Sequence, residues 1–425
     1  MKVYKKDLVF GSVVFIVLSI YAFLADFKFD YIGLSFLINT MVGSVLFSLS
    51  MRNQINTLLF YYLFSLIFMI FVPWLQYSLG ILIWTSIPFH GEFYLYVNAL
   101  IFFSNIFCFF AYKIFPVYYF KDKKVNKGNF ILGSVLCFLS FLIVFYSVGF
   151  DFRKIFFRGV EGDSIENSFS SYFLIFVYLA RFFPAFLFMK YYSNGRKKES
   201  YLFLIFTLLC SFPLGITRFM VAFIYLPILM MFFPFLKKSI YVSVIIFASI
   251  LFVFPFLNQF RYYSDSMRVE VFSGFDFFTQ GHFDAYQNFM DVIRTDFVTM
   301  GQQILGVLLF FIPRTYWEGK PVGSGYTLAE NNHYYFNNIS MPYIAEGYVN
   351  FGIFGIFSFV LFLAYALKQI DYNLLFKFHY LESNYQVCKG VFFCTSIFFM
   401  MRGDLMSSFS FMLAAIFAFK VAENV

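Results

Sequence analysis

Six cations stand out between residues 218 and 320: Arg218, Arg261, Arg268, Arg294, Arg314 and Lys320. A guanidinium is a planar fork of donors that suits phosphate oxygens. As a set, these residues point to a phosphorylated ligand. The competing role is ion pairing with Asp265, Glu270, Asp276 and Asp291 in the same stretch. Arg218 is the sharpest case, because apolar residues flank it on both sides and a charge there is costly unless paired or functional. Metal chemistry finds no support: His282-x-Asp284 has no further ligand near it in sequence. Redox chemistry finds none either, since Cys108, Cys137, Cys210, Cys388 and Cys394 contain no CxxC spacing. No cofactor is expected.

The elements that must position these residues follow from composition. The chain has 425 residues, 61% hydrophobic and only 13% charged, with 73 Phe and 32 Tyr. A soluble fold cannot bury so much apolar surface, and a disordered chain has the opposite composition. The apolar residues come in unbroken runs, which excludes a β-barrel. An all-α polytopic membrane protein is the remaining class. Runs long enough to span fall at about residues 8–25, 31–50, 57–79, 93–113, 129–149, 169–189, 201–216, 218–236, 239–258, 343–367, 390–402 and 405–420. That makes about twelve transmembrane helices. The first run is not expected to be a cleavable signal peptide, because Asp26 to Asp30 lead straight into the second. The hairpins 201–236, joined through Gly215 to Arg218, and 390–420, joined through Arg402-Gly403-Asp404, are the tightest.

The net charge of +8 would raise the question of nucleic acid in a soluble protein. In a membrane protein it becomes a question of sides, and no nucleic acid is expected. With connections numbered alternately, one side carries 19 of the 31 basic residues against six acids. The other carries 11 against 17, and Arg181 sits inside a span. The positive-inside rule then places both termini in the cytoplasm. The Lys121–Lys127 cluster sets topology on that side, with anionic lipid as a second contact.

One outer connection is long. The chain divides into spans 1–9 over residues 1–258, a large extracytoplasmic loop over 259–342 and spans 10–12 over 343–425. Loops of that length in a compact bundle are usually functional. Residues 282–297 read as an amphipathic helix, with Phe283, Tyr286, Phe289, Met290, Ile293 and Phe297 on one face. Asp284, Gln287, Asp291 and Arg294 take the other. Residues 304–312 would rise only about 13 Å, so this segment is interfacial, re-entrant or packed on the bundle.

The stretch Phe311-Ile312-Pro313-Arg314-Thr315-Tyr316-Trp317-Glu318-Gly319-Lys320-Pro321 resembles the FIPR-x-x-W-x-x-KP string of the Wzy-type O-antigen and capsule polymerases. Asp284-Ala285-Tyr286, Gly301 and Gly306 resemble that family's lead-in, and Glu346 to Gly352 with Gly355 its re-entry into the membrane. The resemblance covers the last 200 or so residues. It implies a GT-C-like, metal-independent glycosyltransferase in the bacterial inner (plasma) membrane. The implied substrates are undecaprenyl-pyrophosphate-linked oligosaccharide repeat units. A hydroxyl of one unit attacks the anomeric carbon of the growing chain, and undecaprenyl pyrophosphate leaves. Membrane lipid and a polysaccharide chain-length regulator are the implied partners.

Against that chemistry, Arg218, Arg261, Arg314 and Lys320 are the expected pyrophosphate ligands, stabilising charge on the leaving group. His333, Glu346 and His282 are the expected catalytic groups, since a general base contributes roughly 10²–10⁴-fold. Glu330 is a further candidate. The related O-antigen ligases carry a functional His in this region followed by Asn, whereas here Asn331 and Asn332 precede His333. Each His has solvation as its alternative role, and Glu346 has pairing with an arginine. Asp284, Tyr334 and Tyr335 are the expected sugar contacts, and Tyr334 to Phe336 read equally as an interfacial aromatic belt. A lipid-linked oligosaccharide flippase or another transporter is the rival from a different class, but two matching halves are lacking. An O-antigen ligase is the rival of the same fold.

Overall fold

The computed structural model describes residues 5–119, 128–157, 171–258, 275–376 and 385–425. Arg261, Arg268, Asp265, Glu270 and the Lys121–Lys127 cluster lie outside these residues, as does the side chain of Arg218. The described residues are mostly helical and include no strand. Each of the twelve apolar runs contains a helix.

Among the described residues, nine helices are long and apolar enough to cross a membrane. They are α1 (Lys5–Leu24), α2 (Tyr31–Ser50), α3 (Thr57–Leu79), α4 (Gly91–Ile114), α5 (Phe130–Ser147), α6 (Ser171–Ser193), α9 (Ser239–Phe256), α13 (Tyr343–Phe376) and α15 (Leu405–Asn424). Between them lie α7 (Lys197–Cys210), α8 (Arg218–Phe232) and α14 (Tyr385–Arg402). The chain is therefore a multi-pass membrane protein. Several helices begin where a side chain caps the first turn. Asp30 accepts from Gly33 N at 2.7 Å, Asn56 from Leu59 N at 2.9 Å, and Asp404 from Met406 N at 2.8 Å.

Helix α3 is the centre, with almost every residue buried against α2, α13 and α14. It carries a π-helical stretch at Ser65–Phe71. At that point Ser65 and Asn105 of α4 exchange side-chain hydrogen bonds, and the Tyr62 hydroxyl donates to the Asn105 carbonyl at 2.9 Å. In a bundle without water such groups must bond each other. A second core forms where α6, α8, α14 and α15 meet, dominated by Phe182, Phe186, Phe392 and Phe419.

Three bonds tie connections together at one end of the bundle. Ile55 N donates to Lys237 O, Asn129 N to Val425 O, and Lys368 Nζ to Lys113 O. All three bonds join connections that the sequence places on the basic side. The opposite end, called outer below, carries residues 275–342.

Two features depart from plain spans. Helices α7 and α8 have 14 and 15 residues and rise only about 21 and 23 Å, short of a roughly 30 Å hydrocarbon core. Arg181, buried within α6, donates to the carbonyl of Cys210 at the end of α7 at 3.2 Å. A cation there satisfies carbonyls that the helix leaves open. The turn at 211–217 is anchored by Ser211 Oγ donating to Arg181 O and by Tyr225 Oη donating to Ser211 O. The second feature is a break in α13. Phe351 and Gly352 leave helical geometry, with Gly352 at φ 60°, ψ −148°. That region is essentially restricted to glycine. The turn separates a fully buried segment, 343–350, from the long membrane helix.

The outer loop is not a loose appendage. Its helix α10 (Ala285–Arg294) is buried on both faces, which corrects the expectation of one polar, open face. The polar side chains are inside because they find partners in the bundle. Gln287 bonds Gln76 Oε1, Ile81 O and Ile83 N at 2.9–3.0 Å. The short segment expected to be interfacial, re-entrant or packed is α11 (Gln302–Leu308), packed on α13 and α15.

Gly352→Ala is expected to strain the α13 break by about 1–3 kcal/mol. A lower melting midpoint of the purified protein checks this, and an unchanged midpoint would show that the break tolerates a side chain.

Candidate active site

Asp284 sits at the head of α10 and is fully buried. Its Oδ2 accepts from Trp84 Nε1 at 2.8 Å and Ser340 N at 3.1 Å, and its Oδ1 accepts from the Ser340 hydroxyl. Arg402, the last residue of α14, pairs with Oδ1 at 3.4 Å. The same guanidinium donates to His282 O at 2.9 Å and Gly281 O at 2.8 Å, and lies 5.8 Å from the Phe219 ring at the start of α8. A carboxylate out of water needs this full set of donors. Asp284, expected to touch sugar, therefore has both oxygens occupied by the protein and acts as a positioning residue.

Beside it are two further carboxylates. Glu346, buried in the first turn of α13, accepts from the Ser324 hydroxyl at 2.5 Å and from Leu405 N at 2.9 Å, both through Oε1. Asp404, one residue before α15, accepts from Ser324 Oγ and Gly325 N at 3.3 Å each through Oδ2. Ser324 has one hydroxyl proton and two carboxylate neighbours, so it donates to only one of them at a time. A Cβ on Gly323 would come within 2.3 Å of Asp404 Oδ2. Only glycine lets the backbone reach the carboxylate this closely. The amides of two helix starts, α12 (Ser324–Asn331) and α15, thus converge on the acid pair.

Arg314 and Lys320 fold the FIPR-type loop around themselves. Arg314 Nη1 donates to Lys320 O at 2.6 Å and Nη2 to Pro321 O at 3.2 Å. Lys320 Nζ donates to Phe310 O at 2.5 Å and Ile312 O at 2.8 Å. Carbonyls orient these cations without neutralising them. Burial, and then the Arg314 charge, pull the Lys320 pKa below its ordinary value. Pro321 lies against Gly306, whose Cβ position would also meet Met406 at 3.2 Å. The cationic loop and the acid pair are therefore neighbours at the outer end.

The remaining candidates are placed as follows. His333 closes α12 with φ 55°, its N donating to Glu330 O at 3.0 Å and its ring exposed. His282 contributes its carbonyl to Arg402. Tyr334 donates its hydroxyl to Asp291, which also pairs with Arg294. Burial raises the Asp291 pKa to about 6 against the opposing pull of Tyr334 and Arg294. Tyr335 is exposed and stands 5.7 Å from the Trp84 ring, on which Phe336 stacks at 5.4 Å. This aromatic shelf rests on the indole whose N–H holds Asp284. Arg218 opens α8, and Arg261 lies outside the described residues. Arg294 takes the ion-pairing role and not the phosphate role. An outer cleft of about 710 Å³ lined by Asp30, Tyr31, His90, Glu92 and Phe93 lies on the α2–α4 side. Arg402, Asp404, Ser324 and Trp84 are the site residues that sequence reasoning missed. The charged Arg402-Gly403-Asp404 turn between tight apolar helices was the available signal.

No family model, curated protein or solved structure matches this chain.

Asp284→Ala strands the Arg402 charge, the Trp84 indole N–H and the Ser340 amide together, and is expected to cost about 3–5 kcal/mol. Arg402→Gln leaves Asp284 its other three donors and is expected to cost less, about 1–3 kcal/mol. Thermal unfolding of the purified variants checks the order, and the reverse order would contradict it.

Proposed function

We propose that this protein polymerises lipid-linked oligosaccharide repeat units at the outer end of its helix bundle. The substrate class is undecaprenyl-pyrophosphate-linked oligosaccharide, and the products are a longer chain and free undecaprenyl pyrophosphate. The observation that carries the reading is the adjacency of an acid pair, Glu346 and Asp404 sharing Ser324, to a loop that presents Arg314 and Lys320. Glycosyl transfer of this kind needs both parts. The attacking hydroxyl must lose a proton, and a carboxylate is a suitable acceptor. The C–O bond to pyrophosphate must break, and cations lower the energy of the charge that builds there. The FIPR-type string supports the reading independently of the geometry.

In this mechanism the acceptor hydroxyl of the incoming repeat unit attacks the anomeric carbon of the growing chain. The electron pair of the breaking bond leaves on the pyrophosphate, beside Arg314 and Lys320. The proton passes to the acid pair, of which Asp404 is the more exposed member. Asp284 and Arg402 position the turn that carries Asp404. Twelve spans, cytoplasmic termini, an inner-membrane location and a GT-C-like arrangement belong to the same proposal. The lipid tails remain in the bilayer throughout, and a chain-length regulator fits as a partner.

Deletion of the gene, with complementation by wild type, Arg314→Ala and Glu346→Gln, tests this by surface-polysaccharide gel. The long-chain ladder is expected to vanish on deletion while single repeat units remain. Neither variant is expected to restore it at normal protein abundance, with loss of roughly 10²–10³-fold in rate for Arg314→Ala. Loss of the single repeat as well would favour a flippase or ligase, and an unchanged ladder would sink the proposal.

A further inference from the structure

The inner end of the bundle holds a cleft unrelated to the site above. It has a volume of about 530 Å³ and is lined by Lys6, Arg52, Asn53, Gln54, Lys238 and Phe376. Three of these six residues are cations, and none of the described lining residues is a carboxylate. Asp7 and Asp371 are buried and do not line it. Asp371 accepts from Thr57 N and Tyr112 Oη, each at 2.7 Å.

The cleft is built and not merely charged. Arg52 sits over Phe376, with its guanidinium carbon 4.0 Å from the ring centroid and 5.6 Å from that of Tyr372. Contact of this kind fixes the direction of the guanidinium and leaves its charge intact. The backbone on the two sides is tied together. Ile55 N donates to Lys237 O at 3.0 Å, and Ser239 Oγ donates to Gln54 O at 2.6 Å. These bonds join the segments that bring Arg52 and Lys238 to the same cleft. The amides of Asn53 and Gln54 add neutral donors and acceptors between them. General topology-setting charge needs neither a cavity nor an arginine held over an aromatic ring.

We propose that this cleft binds an anionic phosphate headgroup at the inner surface of the bilayer, with Arg52 and Lys238 as its principal ligands. Basic pockets between membrane helices recognise such groups, and each cation near the surface adds about five-fold to the affinity. The volume is within the usual range for a site of this size. The same chemistry can come from a phospholipid or from a soluble phosphate, and the site serves retention or regulation of the protein, not its sugar chemistry.

Native mass spectrometry of the purified full-length chain in detergent tests this. The titrants are dioleoylphosphatidylglycerol, dioleoylphosphatidylcholine and inorganic diphosphate. Wild type is expected to bind phosphatidylglycerol and not phosphatidylcholine. Arg52→Gln with Lys238→Gln is expected to weaken that binding about thirty-fold. Lys197→Gln with Lys198→Gln removes as much charge from the same end, outside the cleft, and is expected to stay close to wild type. Cleft-dependent binding of diphosphate without phosphatidylglycerol would assign the site to a soluble ligand. Absence of both, or an equal loss in the two double variants, would overturn the proposal.

Discussion

One buried carboxylate organises the outer end of this protein. Asp284 has no access to water, so all of its hydrogen bonds must come from the chain. The donors come from three separate places: Trp84 after α3, Ser340 before α13 and Arg402 at the end of α14. Satisfying one charge therefore joins three parts of the bundle to the head of α10. The consequences spread outward from there. Trp84 carries the aromatic shelf of Tyr335 and Phe336. Ser340 leads directly into the segment that bears Glu346. Arg402 fixes the turn from which Asp404 reaches Ser324.

The same rule, that polar groups without water must find each other, explains the irregular elements. Helix α7 stops early, and Arg181 from a neighbouring helix covers its open carbonyls. Non-helical backbone at membrane depth is tolerated only where protein surrounds it, and the 211–217 turn is held by Ser211 and Tyr225. The break at Gly352 lets a fully buried segment precede a membrane helix, so that Glu346 faces the site and not the lipid. Each of these irregularities lies at or beside the outer half of the bundle. The inner end has its own irregular elements, a π-helical end to α13 at Asp371–Phe376 and a 3-10 turn at Pro234–Lys237.

Much of the architecture was legible in the sequence, because unbroken apolar runs and the sidedness of charge are local signals. All twelve runs contain helices, and α10 announced itself by its three- and four-residue spacing. Its burial on both faces was not legible. The partners of Gln287 and Asp284 lie about 200 residues away, at Gln76, Ile83 and Trp84, and no local pattern records them. The lengths of α7 and α8 were hidden for a related reason. Phe212, Leu214 and Ile216 keep the 211–217 turn apolar on average, so hydropathy alone does not show where the helix stops. Glu346 was recognisable from its place at the mouth of a span. Arg402 and Asp404 were read only as a turn, since their partners Asp284 and Ser324 lie 118 and 80 residues earlier.

The central claim is that the acid pair and the Arg314–Lys320 loop together transfer an oligosaccharide from its lipid pyrophosphate to a second lipid-linked unit. The direct measurement is incubation of the purified, detergent-solubilised protein with a lipid-linked repeat unit and no nucleotide sugar, followed by mass spectrometry of glycan length and of released undecaprenyl pyrophosphate. Chains of two or more units are expected, with one undecaprenyl pyrophosphate released per linkage. Both signals are expected to fall together in Asp404→Asn. Unextended substrate with a folded protein would contradict the claim, as would extension that persists undiminished in that variant.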